Sequence, residues 1–370
     1  MDAINEDLPD EGWRRSPTIY DVARAAGVAP STVSRAFSRP GRVNAETAER
    51  IRQVAADLGY RVNPLARALP TGRTSMIALV ISDIGNPFYV EIIRGAQTAA
   101  AAAGYIVVLV DAQESDRLER EALERALPTV EGVILASSRT SDSAIRMVAK
   151  QRPVVVLNRH VADVPSVVTD TAHGMRLAAE HLAQLGHRSV SYLAGPEASW
   201  TDGMRWRSLR EATAELGLKV HRMGRSAPTI AGGAQAAEGF EVGSATALVA
   251  YNDQVAVGLI RGLQARGIRV PQDVSVLGFD NTFTAELVSP GLTTVAAPLR
   301  ALGENAVRGL LAILGGARDR TGRPLVLPTR LVVRASTAQR SRKRTSPASG
   351  TTNVSGSARN ASTSTSEGSR

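Results

Sequence analysis

Hydrophobic positions along the chain fall into two textures, and the change between them comes near residue 75. Before it, apolar residues recur at helical spacing: Val22, Ala23 and Ala26, then Val33, Ala36 and Phe37, then Thr47, Ile51, Val54 and Leu58. That period predicts three short helices around a common core, the last over 45–58. After it, short unbroken apolar runs at 76–81, 105–110, 132–136 and 154–157 read as strands covered on both faces. Between them, 87–103, 114–127 and 142–150 carry an apolar stripe of helical period. A second set follows, with strands at 189–194, 247–250 and 274–278 and helices at 172–185, 202–216 and 252–266. Such alternation predicts two parallel sheets flanked by helices, with a ligand site outside the carboxyl ends of the strands, between two lobes. The expected fold is an N-terminal all-α headpiece followed by a two-lobed α/β domain.

Local chemistry sharpens the headpiece. Gly27 supplies the left-handed residue on which a helix often ends, and Pro30 suits the first turn of the next. With Val33, Ala36 and Phe37 turned inward, Ser31, Thr32, Ser34 and Arg35 remain on the outer surface. Short hydroxyls and an arginine near a helix start suit the major groove of DNA, although an alanine-rich helical hairpin in some core has the same binary pattern. Ser38 to Arg42 form a loop, and Asn44 caps the third helix while also lying, with Arg42, where a phosphate would be met. The segment 59–73 is too short for a stable isolated helix and needs a partner to order it.

Composition changes the picture in three respects. Residues 17–72 hold eight arginines against Asp21, Glu46, Glu49 and Asp57, a balance of +4 out of a net +9, as a polyanion-binding module requires. The first sixteen residues are acidic and unpatterned, and 336–370 is a basic Ser/Thr-rich tail; both are predicted to be disordered. No run of eighteen apolar residues and no signal-peptide order occurs, so a cytoplasmic protein is expected. With no cysteine in 370 residues, disulfides, thiolate metal sites and cysteine nucleophiles are excluded.

Tyr20-Asp-Val-Ala23, Ala26-Gly-Val28 and Ser31-Thr-Val-Ser-Arg35 closely resemble the signature of the LacI/GalR family of bacterial regulators. Further family-like motifs run in order through the rest: Asp83-Ile-Gly-Asn-Pro-Phe-Tyr89, Asp170-Thr-Ala-His-Gly174, 181–188, Gly195-Pro196, Asn252-Asp253-Gln254 and 271–281. The resemblance implies a helix-turn-helix headpiece (17–60), a hinge (61–73) and a two-lobed periplasmic-binding-protein type 1 domain (74–335), with helix 299–314 and strands near Leu325 and Leu331 returning to the first lobe. It implies DNA contacts from Thr18, Tyr20, Pro30, Ser31, Thr32, Ser34, Arg35, Ser38, Arg42, Asn44, Arg67 and Leu69, the last as an apolar wedge in the minor groove of a pseudo-palindromic operator bound by a homodimer. The hinge departs from the family in Val62, Pro64 and Pro70, residues that still permit a helix started by one proline and stopped by the other.

For a small effector, a sugar above all, the resemblance implies Phe88 and Tyr89 from the first lobe and Asp170, Ser199, Thr201, Arg205, Asn252 and Asp280 from the second. Arg205 opposite Asp280 offers forked donors and a fixed acceptor; a ligand-free salt bridge between lobes is the alternative. Asp170 and Asp253 suit helix caps, and Trp200 either lines the cleft or packs at its edge. Histidines 160, 173, 181, 187 and 221 lack metal-ligand spacing and are read as structural. No phosphate-binding glycine motif or nucleophile elbow is present, so no cofactor, metal or catalytic residue is expected. A solute-binding protein of the same α/β fold would explain the body but not the headpiece.

Overall fold

A computed structural model describes residues 17–39, 41–61, 73–317 and 322–340. The headpiece is three helices: α1 (Ile19–Ala26), α2 (Pro30–Ser38) and α3 (Ala45–Asp57). Val22, Val33 and Ile51 are fully buried where the three meet. The stripe on α3 is rotated from the sequence expectation: Ala48, Ile51 and Ala55 face the core, Thr47 and Val54 are half-buried, and Leu58 is 41% exposed. Alanines let α3 approach two short helices closely, which leaves the larger Leu58 outside.

The body is two six-stranded sheets. The first contains β1 (Met76–Ile81), β2 (Ile106–Asp111), β3 (Gly132–Ala136), β4 (Val154–Leu157), β5 (Ser166–Thr169) and β11 (Leu325–Leu327), in spatial order β11-β5-β4-β3-β1-β2 and parallel throughout. Helices α4 (Phe88–Ala102) and α12 (Leu299–Leu314) cover one face, with Ile92, Ala96, Leu302 and Leu310 against Ile77, Leu79 and Ile134. On the other face, α5 (Asp116–Ala126) and α6 (Asp142–Gln151) bring Leu123 and Ile145 against Ala78, Val80 and Val133.

The second sheet contains β6 (Ser189–Ala194), β7 (Lys219–Arg225), β8 (Ala247–Ala250), β9 (Ser275–Asp280), β10 (Thr293–Ala296) and β12 (Arg330–Val332), in order β12-β10-β9-β8-β6-β7. All its pairs are parallel except β10 with β12. Helices α7 (Thr171–Gln184) and α8 (Trp200–Glu215) pack on one face around Tyr192 and Phe279; α9 (Ile230–Glu238) and α10 (Asp253–Ala265) pack on the other around Leu248 and Val276. The short α11 (Thr284–Leu287) follows β9.

Several expectations are corrected. Helix α12 and β11 return to the first lobe, but the strand at Leu331 does not: it pairs with β10 in the second sheet. The apolar run of β2 is not enclosed: it is an edge strand with Ile106 52% exposed. The basic tail does not begin at 336, because Ser336 is buried and exchanges backbone bonds with Gly291 and Val276, and Arg340 donates to the Leu185 carbonyl. The hydroxyls of this stretch make it adhesive: Ser336 Oγ donates to the Val276 carbonyl, and Thr337 Oγ1 is bonded to His181 and Thr293. Residues 62–72, with Arg67 and Leu69, and 341–370 lie outside the described residues. Among the described residues no helix is long and apolar enough to cross a membrane.

Candidate nucleic-acid face and interlobe cleft

The outer face of α2 is placed by the ends of α1. Thr18 and Asp21 form a capping box, with Thr18 N and Oγ1 donating to Asp21 Oδ2 at 2.8 and 2.7 Å. Gly27 (φ 65°) ends α1, and Val28 N donates to the Ala23 carbonyl at 3.0 Å, which turns the chain into Pro30, the first residue of α2. This arrangement leaves Ser31, Ser34, Arg35 and Ser38 exposed along α2, with Thr32 half-buried. Tyr20 on α1 is 66% exposed, an apolar ring with no burial to explain it. Arg42 is exposed, and Asn44 Oδ1 accepts from Glu46 N at 3.0 Å as the cap of α3. Among the described residues no carboxylate pairs with Arg35 or Arg42, so both guanidinium groups are available to an outside anion.

The second candidate lies between the sheets, where strands of both end. Of the residues named for an effector, Phe88, Tyr89, Thr201, Arg205, Asn252 and Asp280 line one cavity. Ser199 stands one layer behind: it caps α8, and its hydroxyl is 3.0 Å from that of Tyr251, which does line the cavity. Asp170 is outside. It follows β5, caps α7 by accepting from His173 N, and does not line the cavity. Trp200 is half-buried and also outside the lining.

Arg205 is the centre of the second-lobe wall. Its Nη2 donates to Asp280 Oδ1 at 2.9 Å, its Nη1 to the Tyr251 carbonyl, and its guanidinium lies 3.8 Å from the Phe279 ring centroid. Both ends of this salt bridge belong to the second lobe, so it does not tie the lobes together. Burial pushes the Asp280 carboxyl above the ordinary range, against the opposing pull of Arg205. Asp253 is also corrected: Asn252 caps α10, whereas Asp253 is its first residue and is fully buried.

The first-lobe wall holds residues that sequence reasoning missed. Arg139 Nε and Nη2 donate to the two oxygens of Glu114 at 2.7 and 3.1 Å, a bidentate pair. Burial alone would lower the Arg139 pKa, yet Tyr251 and Glu114 hold it above the ordinary value. Asn86, Ser137 and Asn158 complete this wall, and Pro228, after β7, adds to the second-lobe side. The pair spans 25 positions of sequence, and nothing local announces it. One signal is physical: Gln113, Glu114, Ser137, Asn158, Asp280 and Asn281 all have positive φ, so strained non-glycine backbone clusters at strand ends facing the cleft.

The lobes touch through polar contacts. Thr201 Oγ1 donates to the Asn158 carbonyl at 3.2 Å, and Gln254 Nε2 to the Gly85 carbonyl and Asn86 Oδ1 at 3.3 and 3.4 Å. The free volume left between them is about 20 Å³, room for roughly one water. Two buried donors of its lining, Asn158 Nδ2 and Arg205 Nε, have no acceptor among the described residues. Unmatched donors facing a polar cleft suit a ligand rich in hydroxyl or carbonyl oxygens.

Known proteins match both parts. Residues 18–63 fit the family described as bacterial regulatory proteins of the lacI family, and 179–337 a periplasmic-binding-protein-like domain. The chain is 34% identical over 331 residues to the HTH-type transcriptional regulator DegA of Bacillus subtilis, covering 87% of this chain and 98% of that one. Among solved structures, it resembles a lac repressor dimer bound to operator and an anti-inducer, with a TM-score of 0.77, 28% identity, and 88% and 100% of the two chains covered. A LacI-family regulator from Enterococcus faecalis with bound ribose matches at TM-score 0.64 and 31% identity, covering 71% of this chain and 99% of its own.

Proposed function

The chain belongs to the LacI family of bacterial regulatory proteins and is a DNA-binding transcriptional regulator; from that premise we propose how it binds DNA and what controls it. It acts as a cytoplasmic homodimer that represses from a pseudo-palindromic operator. In each headpiece, Ser31, Ser34 and Arg35 address base edges, and Thr18, Tyr20, Pro30, Thr32, Ser38, Arg42 and Asn44 hold the backbone. Residues 17–60 are the headpiece, 61–73 the hinge with Arg67 and the Leu69 wedge, and 74–335 the effector and dimer domain. Arg73, at the body end of that hinge, donates to Tyr105 at 2.8 Å, which moors it to the first lobe.

The effector is a monosaccharide held by Phe88, Tyr89, Thr201, Arg205, Asn252 and Asp280, with Ser199 behind them. Nothing supports a contact from Asp170 beyond its cap. Each cavity cation is already matched by a carboxylate, Arg205 by Asp280 and Arg139 by Glu114, so the site favours an uncharged ligand over an anion. The lobes must part to admit it, because the free volume is far below that of a sugar ring. The role is binding, with no catalytic residue assigned. Exposed apolar residues on β2 (Ile106, Leu109) and near α11 (Phe283, Leu287) suit a partner copy of this chain.

The observation that carries this reading is the conjunction, in one chain, of an exposed helix whose Arg35 has no carboxylate partner among the described residues and a buried arginine–aspartate pair in the wall of a closed cleft. The test is operator selection from random duplexes, followed by anisotropy titrations with D-ribose, D-xylose, D-glucose and nucleosides. The reading predicts a twofold-symmetric selected site whose affinity changes with a neutral sugar. Selection of no symmetric site, or a response to none of these ligands, would falsify it.

A further inference from the structure

We propose that Asp253 is the positioning residue of the cleft floor, clamping Thr282 so that Asp280 is presented to Arg205, while Gln254 fastens the same helix start to the first lobe. The inference rests on reading the cleft as the effector site. Asp253 itself does not line the cavity. Its carboxylate is fully buried and receives three donors: Thr282 N at 2.7 Å and Thr282 Oγ1 at 3.3 Å on Oδ2, and Thr294 Oγ1 at 2.6 Å on Oδ1. No cation accompanies it among the described residues, and burial followed by the charge of Asp280 pushes its pKa up.

A buried acid without a counter-ion weakens a fold, so its place here is explained by what it holds. What it holds is strained. Asp280 and Asn281 sit at φ 116° and 58°, a backbone that L-residues adopt only when neighbours enforce it. Thr282 is the next residue, and with both its N–H and hydroxyl on one carboxylate oxygen it is pinned at that point. Arg334 steadies the same loop from outside by donating to Asn281 Oδ1 at 2.9 Å. Room for the carboxylate is made within the sheet: a Cβ at Gly278 would stand 2.5 Å from Asp253 Oδ1. An amide is a poorer substitute: its NH2 group would require the Thr294 hydroxyl to turn and accept, and its neutral carbonyl facing Thr282 is a weaker acceptor than a carboxylate oxygen.

The neighbours of Asp253 extend the joint. Asn252 lines the cavity and caps α10, and Gln254 reaches Gly85 and Asn86 across the cleft. Three successive residues at one helix start therefore touch the ligand site, its floor and the opposite lobe.

The experiment uses the full-length chain and Asp253→Asn, with Thr294→Val as a second variant that removes one donor far from the cavity. Hydrogen exchange in the ligand-free protein should show amides of 281–285 exchanging about tenfold faster or more in Asp253→Asn, with β6, β8 and β9 unchanged and the melting temperature within a few degrees of wild type. Thr294→Val should repeat the loop effect more weakly, and it decides the matter if Asp253→Asn does not fold. Calorimetry with D-ribose, or whichever sugar of the panel wild type binds, should show affinity down about tenfold or more while DNA binding without sugar is unchanged. Loop exchange as in wild type overturns the proposal, and so does acceleration spread evenly over the second lobe, which would mark a general packing role. Failure of wild type to bind any sugar or nucleoside overturns the effector reading instead, and the exchange measurement still decides on Asp253.

Discussion

Arg35 and Asp280 are both residues whose charge matters, and their surroundings give opposite predictions. Arg35 is exposed and unpaired among the described residues, so Arg35→Ala leaves the fold alone. Anisotropy should show operator binding weakened by about 1–3 kcal/mol, with random DNA losing only about one phosphate contact's worth. Equal losses on both would count against base reading. Asp280 and Asp253 are buried acids whose pKa values are raised in the folded protein, by desolvation first. The folded state therefore holds protons that the unfolded chain releases at lower pH. Their contribution to stability is fully present below the ordinary aspartate range and is lost as pH rises through about 6 for Asp280 and about 7 for Asp253. Urea denaturation at pH 5 and pH 8 should show Asp253→Asn gaining on wild type at the higher pH; a constant difference would mean that Asp253 does not titrate on folding.

At the scale of elements, β2 makes the sharpest prediction. It is an edge strand whose other side chains are half-buried, and Ile106 and Leu109 are among the large apolar residues left outside. Leu109→Arg should give a monomer in sedimentation velocity, with the unfolding of the body otherwise close to wild type. A dimer that survives would move the contact to Phe283 and Leu287 alone. The same strand shows what was legible in the sequence. Runs such as Met76–Ile81 and Val154–Leu157 announce strands because burial on both faces demands it, and β2 has the same run for a different reason, an edge proposed to meet a partner. The strands missed, β5, β7 and β10, are short or polar: Ser166–Thr169, the basic Lys219–Arg225 and the threonine-led Thr293–Ala296. Their pairing is set by neighbours in space. Four cavity residues, Phe88, Tyr89, Asn252 and Asp280, were named from motifs just past strand ends and Thr201 and Arg205 from their spacing after Gly195-Pro196, while Glu114 with Arg139 was not, since only tertiary folding brings that pair together.

At the scale of the whole molecule, the chain crosses between its sheets three times, after β5, after β10 and after β11. Such a body bends at its crossings more readily than within a sheet, so parting of the lobes is the motion that opens the cleft. Two sets of polar contacts, Thr201 with Asn158 and Gln254 with Gly85 and Asn86, hold the lobes together. Each such bond is worth only about 0.5–1.5 kcal/mol, small enough for a sugar's own contacts to outweigh.

Control of DNA binding then follows from linkage. If the sugar weakens operator binding by some factor, the operator must weaken sugar binding by the same factor. The proposed hinge wedge separates binding from coupling. Leu69→Ala removes the apolar contact proposed for the minor groove while keeping every residue named for the cleft and for the headpiece face. Sugar affinity in the absence of DNA should therefore equal that of wild type by calorimetry, while operator affinity and the DNA bend measured by electrophoretic phasing both fall. The ratio of sugar affinities with and without operator should shrink toward one, because a joint that no longer engages the duplex has no differential contact through which the cleft can act. An operator complex with wild-type bend and an undiminished ratio would place the coupling in the headpiece itself.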